Sequence, residues 1–188
     1  MKAGKPYDGV IVDTITEMEN WCEWDATKMY MDSPMGSQFN KKGGNVLPFD
    51  QWNSVLSLPM GSGYHWLRMS YKKWVAKLEK LAPHIILVAH IKDKFLEKET
   101  DSTITPKELD LTGQIKRIAC ANADAIGFLY RNPKLDNELR VSFQSNDNYL
   151  AGSRCKHLRN QDFVLCVNNP DGSVMEHNWN KIFNHQVK

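Results

Sequence analysis

The apolar positions of this chain come in blocks, and the spacing inside each block changes from one to the next. Residues 9–12, GVIV, run without alternation and are β-branched, which predicts a strand buried on both faces of a parallel sheet. After Asp13 the period lengthens. Ile15, Met18, Cys22 and Met29 fall near one face of a helix, with Thr14 or Thr16 available to cap its first turn. Residues 32–63 lose the pattern. Their glycines and prolines, from Pro34 to Gly63, predict a long loop interrupted by a short helix near residues 50–56. A helical stripe returns over residues 64–81 through Leu67, Tyr71, Trp74, Val75, Leu78 and Leu81, and Pro83 ends it.

Residues 84–90, HIILVAH, form a second apolar run. Strand, helix and strand in that order predict a βαβ unit with parallel pairing. Residues 91–110 are polar and irregular. Residues 111–122 predict a helix with Ile115, Ile118 and Ala119 inward. DAIGFLYR, residues 124–131, reads as a third strand, NPKLDNE as a turn, and LRVSFQS from Leu139 as an alternating, half-exposed strand. That pair predicts an antiparallel hairpin at the sheet edge. DFVLCV adds a strand, NPDG a turn, and residues 179–183 a short closing helix. The fold class is α/β, as one domain over residues 1–188 with a core over 1–131 and an extension over 132–188.

Composition narrows the function classes. Hydrophobic residues make up 41% of the 188, enough for a packed core. A net charge of +2, from 24 basic and 22 acidic residues, is too balanced to indicate nucleic acid, so any DNA binding must rest on local loops. The four cysteines include no CxxC pair, which argues for reduced thiols over a structural zinc. No apolar run reaches the length of a membrane span, and the N-terminus has no apolar signal core. A soluble, cytoplasmic protein is expected, with no membrane partner. The lysines on the outer faces of residues 64–81 read as solvation.

Two residues carry candidate chemistry. Asp13 ends a buried strand, where α/β folds place their ligands, and Thr14 follows it. An acid there holds magnesium in phosphate-loop enzymes, next to a hydroxyl. The bland alternative is an aspartate that caps a helix. His90 also follows an apolar strand, where a polar side chain can reach a γ-phosphate; the alternative is a histidine satisfied within the fold.

The order of elements resembles the second half of a RecA-like recombinase core over residues 7–131. VIVDTITEME resembles a Walker B strand and the helix after it, and LVAHIK a strand ending in a polar switch residue. GSQFNKKGG and DKFLEKETDSTITPKE stand where that family has its two DNA-binding loops. LTGQIKRIACANADAIGFLYR matches the next helix and strand. With AGSR at residues 151–154 and WNKIF at 179–183, the chain is most similar to phage-type RecA-like proteins of single-strand annealing and recombination.

The resemblance implies a mostly parallel central sheet flanked by helices, with an antiparallel C-terminal hairpin extension. It implies ATP and Mg2+ as cofactors, with Asp13 the magnesium acid acting through water, Thr14 its neighbour and His90 the γ-phosphate sensor. Arg131 and Arg154 would reach a nucleotide between subunits, unless they form surface ion pairs. Lys41, Lys42, Lys92, Lys94 and Phe95 would face single-stranded DNA, lysines on phosphates and the aromatic on a base.

The sequence departs from that family in three places. No GxxxxGK[ST] occurs; AGKPYDG lacks the preceding glycine turn and the following hydroxyl. The N-terminal strand-loop-helix is therefore expected to be missing, and a split or truncated protein would explain it. The glutamate that activates water lies before the Walker B strand in that family, and Glu17 is a poor substitute. The second loop is not basic: residues 92–110 hold four lysines against six acids. The expectation is an ATP-binding protein that is inactive alone, and that works as a homo-oligomer or with a chain supplying the phosphate loop. The alternative is a non-catalytic DNA- or protein-binding scaffold of the same fold. A metal-dependent nuclease is a third reading, without clustered carboxylates to support it.

Overall fold

The computed structural model describes residues 4–39, 41–42, 45–46, 53–93 and 107–183, with the backbone alone at 39, 41, 42, 45, 46 and 136. The chain divides into two compact units, Met1–Ile91 with Leu109–Ile118, and Lys92–Glu108 with Ala119–Lys188.

The first unit opens with β1 (Gly9–Asp13), followed by α1 (Ile15–Met31). Thr14 caps α1, its hydroxyl accepting the Glu17 amide at 3.3 Å. The apolar stripe of α1 is buried through Ile15, Met18, Cys22, Ala26 and Tyr30. The predicted long loop contains more structure than its composition suggests: α2 (Gly36–Phe39), the strands β2 (Lys41–Lys42) and β3 (Asn45–Val46), and 3-10 turns at Val55–Ser57 and Pro59–Gly61. The Val55–Ser57 turn is what the described residues show of the short helix expected near 50–56. Next comes α3 (Gly63–Leu81), whose buried stripe includes Leu67, Ser70 and Tyr71; Leu81, expected inward, is exposed.

α1 and α3 are joined by a polar clamp as well as by apolar contact. Asp25 on α1 accepts the Ser70 hydroxyl at 2.8 Å and pairs with Lys73 at 2.8 Å. Burial opposes ionisation of Asp25, but the Lys73 ammonium and the Ser70 hydroxyl outweigh it and hold the carboxyl below the usual aspartate range.

β4 (His84–Val88) pairs parallel with β1, Gly9 facing His84 and Asp13 facing Val88, so the strand-helix-strand order gives a parallel pair as expected. The burial of β1 differs from expectation. Val10 and Val12 are half-buried, while Ile11 is 65% exposed. The helices touching β1 cover one face of a two-stranded sheet, and the strand alternates accordingly.

β5 (Ile91–Asp93) pairs with β6 (Lys107–Leu109), and α4 (Ile115–Asn122) starts later than the predicted 111–122 helix. The predicted third strand splits at Gly127 into β7 (Ala125–Ile126) and β8 (Phe128–Asn132). A Cβ on Gly127 would stand 2.7 Å from the Val141 side chain, so the chain passes too close to that core for any other residue. β8 and β9 (Leu135–Ser142) form the expected antiparallel hairpin, with a tighter turn, since Leu135 to Glu138 belong to the strand. β10 (Gly152–Ser153) pairs with β7. β11 (Asp162–Asn168) and β12 (Val174–His177) complete a four-stranded sheet in the order β12-β11-β9-β8. The closing helix is a 3-10 turn at Trp179–Lys181. Val141, Phe143, Leu158 and Leu165 form the core behind this sheet.

The class is α/β, but the mostly parallel central sheet does not appear among the described residues. Parallel strand pairing is seen in β1–β4, while the β2–β3, β7–β10, β8–β9, β9–β11 and β11–β12 ladders are antiparallel. Local turns outcompeted the parallel arrangement after Gly127, where hairpin closure needs no crossover. No helix of the described residues is long and apolar enough to cross a membrane.

Candidate functional site at the carboxyl end of β1 and β4

The β-branched run ending at Asp13 gives a strand, and the Thr14 cap starts α1 at the next residue. That junction fixes Asp13 at the carboxyl end of the parallel pair, opposite Val88. The Asp13–Thr14 peptide is cis. The Asp13 side chain is exposed, and among the described residues its carboxylate makes no hydrogen bond or ion pair. It is not the helix cap; Thr14 takes that role. His90 lies two residues beyond Val88, so Asp13, Thr14 and His90 share one rim.

A brace holds this rim together, and the sequence reading missed it. The His90 carbonyl accepts the Asp110 amide at 2.9 Å. Two residues later, the Thr112 amide donates to both Glu19 carboxylate oxygens, at 2.7 and 3.1 Å. Glu19 is buried on α1, the helix that begins beside Asp13. The loop after β4 is thereby tied to the helix after β1. A signal existed in the sequence: Glu19 is four residues past Ile15, on the inward face of the helix, where a carboxylate needs a partner.

The other predicted residues stand elsewhere. Lys41 and Lys42 form strand β2. Lys92 is exposed on β5, and Lys94 and Phe95 lie outside the described residues. Arg131 is exposed on β8 opposite Leu139. Arg154 pairs with Asp124 at 3.8 Å and donates to the Ala121 carbonyl, the surface ion pair that was its alternative reading. Lys92, Arg131 and Arg154 belong to the second unit, and Asp13, Thr14 and His90 to the first.

The donor set limits what the rim can hold. Among the described residues, no group of three His, Cys, Asp or Glu could bind a metal ion. One free carboxylate beside one hydroxyl suits a magnesium ion that brings most of its own ligands as phosphates and water. It does not suit a resident zinc or calcium. Thiol chemistry is also disfavoured on α1, because burial pushes the Cys22 thiol up to about 12 and keeps it protonated.

The sequence profile of a family described as an AAA domain matches residues 1–155. No curated protein and no solved structure matches the chain.

Proposed function

From the premise that the chain belongs to the AAA domain family, a nucleotide-binding, ATPase-like group, we propose that it binds magnesium-ATP at the rim formed by Asp13, Thr14 and His90. We further propose that it acts on single-stranded DNA in phage-type, RecA-like annealing or recombination. The observation carrying the first part is an exposed carboxylate, unpartnered among the described residues, at the end of a parallel strand, with a histidine at the same end.

Each residue has a role that its surroundings permit. Among the described residues nothing neutralises Asp13, an acceptor, so it holds the ion's inner water. Thr14 already accepts the Glu17 amide and keeps its O–H to donate. His90 presents its ring to the nucleotide while its backbone is pinned by Asp110. Bound magnesium supplies neutralisation of the phosphate oxygens. The 188 residues hold no GxxxxGK[ST], so they cradle the triphosphate poorly by themselves. The remaining phosphate contacts come from outside these 188 residues, and another copy or a chain that carries such a loop would serve. The exposed Ile11 supports that reading, as does the edge of β1 away from β4, which no described strand pairs with.

The test reads DNA affinity with and without nucleotide. Millimolar magnesium-ATP is expected to change the affinity of the wild-type chain for an oligo(dT) strand at least several-fold. Asp13→Ala is expected to abolish that response while leaving nucleotide-free DNA binding intact. If the wild-type chain and Asp13→Ala respond alike, Asp13 is structural and the chain is a non-catalytic scaffold.

A further inference from the structure

The second unit concentrates positive charge in one turn. Residues 150–161 contain Arg154, Lys156, His157 and Arg159 and no acid. The amides of Leu158 and Arg159 both reach the Cys155 carbonyl, at 3.1 and 3.2 Å, and wind this stretch into a single helical turn. Leu158, 2% exposed, plugs into the cluster of Val141, Phe143 and Leu165, and Cys155 packs on the same cluster. With those two inward, Arg154, Lys156, His157 and Arg159 stand exposed.

Arg154 is spent on Asp124 and the Ala121 carbonyl, but the other two permanent cations of this turn are not spent internally. Among the described residues, Lys156 and Arg159 make no ion pair. The next acid along the chain, Asp162, is taken by Arg140 at 2.6 Å and by the Tyr130 hydroxyl at 2.8 Å. His157 Nε2 lies 3.0 Å from the Ile182 carbonyl, which sets the Trp179–Lys181 turn alongside. There Trp179 is stacked on Phe183, with centroids 6.3 Å apart, and remains 42% exposed.

We infer that the turn bearing Lys156 and Arg159, together with Trp179, is a contact site for single-stranded DNA. The inference rests on the reading that this chain acts on such DNA, and it names where. Flexible cations beside a rigid, half-exposed aromatic fit a polymer with an anionic backbone and π-faced bases. Lys156 and Arg159 take phosphates, and Trp179 takes a base. An acidic peptide would use the cations and leave the indole idle.

The experiment is fluorescence anisotropy of a labelled oligo(dT) strand with the full chain, across a salt series. Lys156→Glu with Arg159→Glu is expected to weaken binding at least tenfold. The slope of log affinity against log salt should fall by about 1.4, since each lost phosphate contact on a single strand carries about 0.7. Trp179→Ala should weaken binding with the slope unchanged, and should leave binding to heparin, which has no bases, unaffected. Lys72→Glu with Lys80→Glu on α3 makes the same change in net charge and should have little effect. If the wild-type chain binds and the Lys156/Arg159 variant matches it in affinity and slope, the site lies elsewhere and the DNA reading stands. If the Lys72/Lys80 variant weakens binding equally, net charge is responsible and the site is refuted. If the wild-type chain fails to bind, the DNA reading and the site fall together.

Discussion

Gly63→Ala is expected to destabilise the first unit by at least about 3 kcal/mol, the upper range for overpacking. Gly63 begins α3 and is buried against the Val55–Ser57 turn. An ideal Cβ at this position would stand 1.8 Å from the Val55 carbonyl oxygen and 2.6 Å from its carbon. Both obstacles are backbone, so no rotamer change relieves them. Nor can the turn retreat easily. Its Val55 amide donates to Thr27 on α1 at 3.0 Å, its Val55 carbonyl accepts the Leu58 amide at 3.2 Å, and Ser54 is bonded to Glu23. The start of α3 would have to move and loosen its packing on α1. Urea denaturation followed by far-ultraviolet circular dichroism measures the loss. Gly4→Ala is the control, because nothing lies within 4 Å of its Cβ position, and it should stay within about 0.5 kcal/mol of the wild type. A Gly63→Ala chain as stable as the control would mean that α3 does not start against Val55.

Leu158→Ala should cost the second unit about 3–5 kcal/mol, as expected for a buried leucine whose site cannot collapse. Leu158 is enclosed by Val141, Phe143 and Leu165, three side chains fixed by β9, β11 and the residue after β9. Those strands are held by their ladder and by the Arg140–Asp162 pair, so they have little freedom to fill the cavity. The loss should appear in the same denaturation experiment. Leu150→Ala, at an exposed leucine nearby in sequence, should change stability by under about 0.5 kcal/mol. Equal effects from the two leucines would contradict the packing. Because Leu158 is the inward anchor of the basic turn, its truncation should also weaken oligo(dT) binding although no cation is removed.

The sequence made the first unit legible where period and length agreed. The apolar run before Asp13, the stripe through α1 and the second run at His84–Val88 lie where the pattern puts them, and their parallel pairing follows from the order. What it could not show was coverage. A run such as GVIV reads the same whether one face of the strand is covered or both, and Ile11 turned out exposed. The break of the third strand at Gly127 is not legible locally, because a glycine within an apolar run is visible but the Val141 side chain that requires it is 14 residues away. The hairpin turn is shorter than the polar LDNE suggests, because Leu135 pairs with Asn132 of β8 and Glu138 with Val167 of β11. At the rim, Asp13, Thr14 and His90 were legible from their position after apolar runs. The Glu19–Thr112 contact spans 93 residues, and no local pattern encodes that distance. Arg154 was legible as a cation but not as the partner of Asp124, a pairing made by the β7–β10 ladder.

The central claim is that the free carboxylate at the end of β1 meets the metal of a bound nucleotide. Manganese substitutes for magnesium on ATP and broadens nuclear magnetic resonance signals near it, even when binding is weak. A titration of the isotope-labelled chain with manganese-ATP should therefore broaden the amides of Asp13, Thr14 and His90 first, and Asp13→Ala should remove the effect. Broadening that spares this rim, or that persists unchanged in Asp13→Ala, would contradict the account.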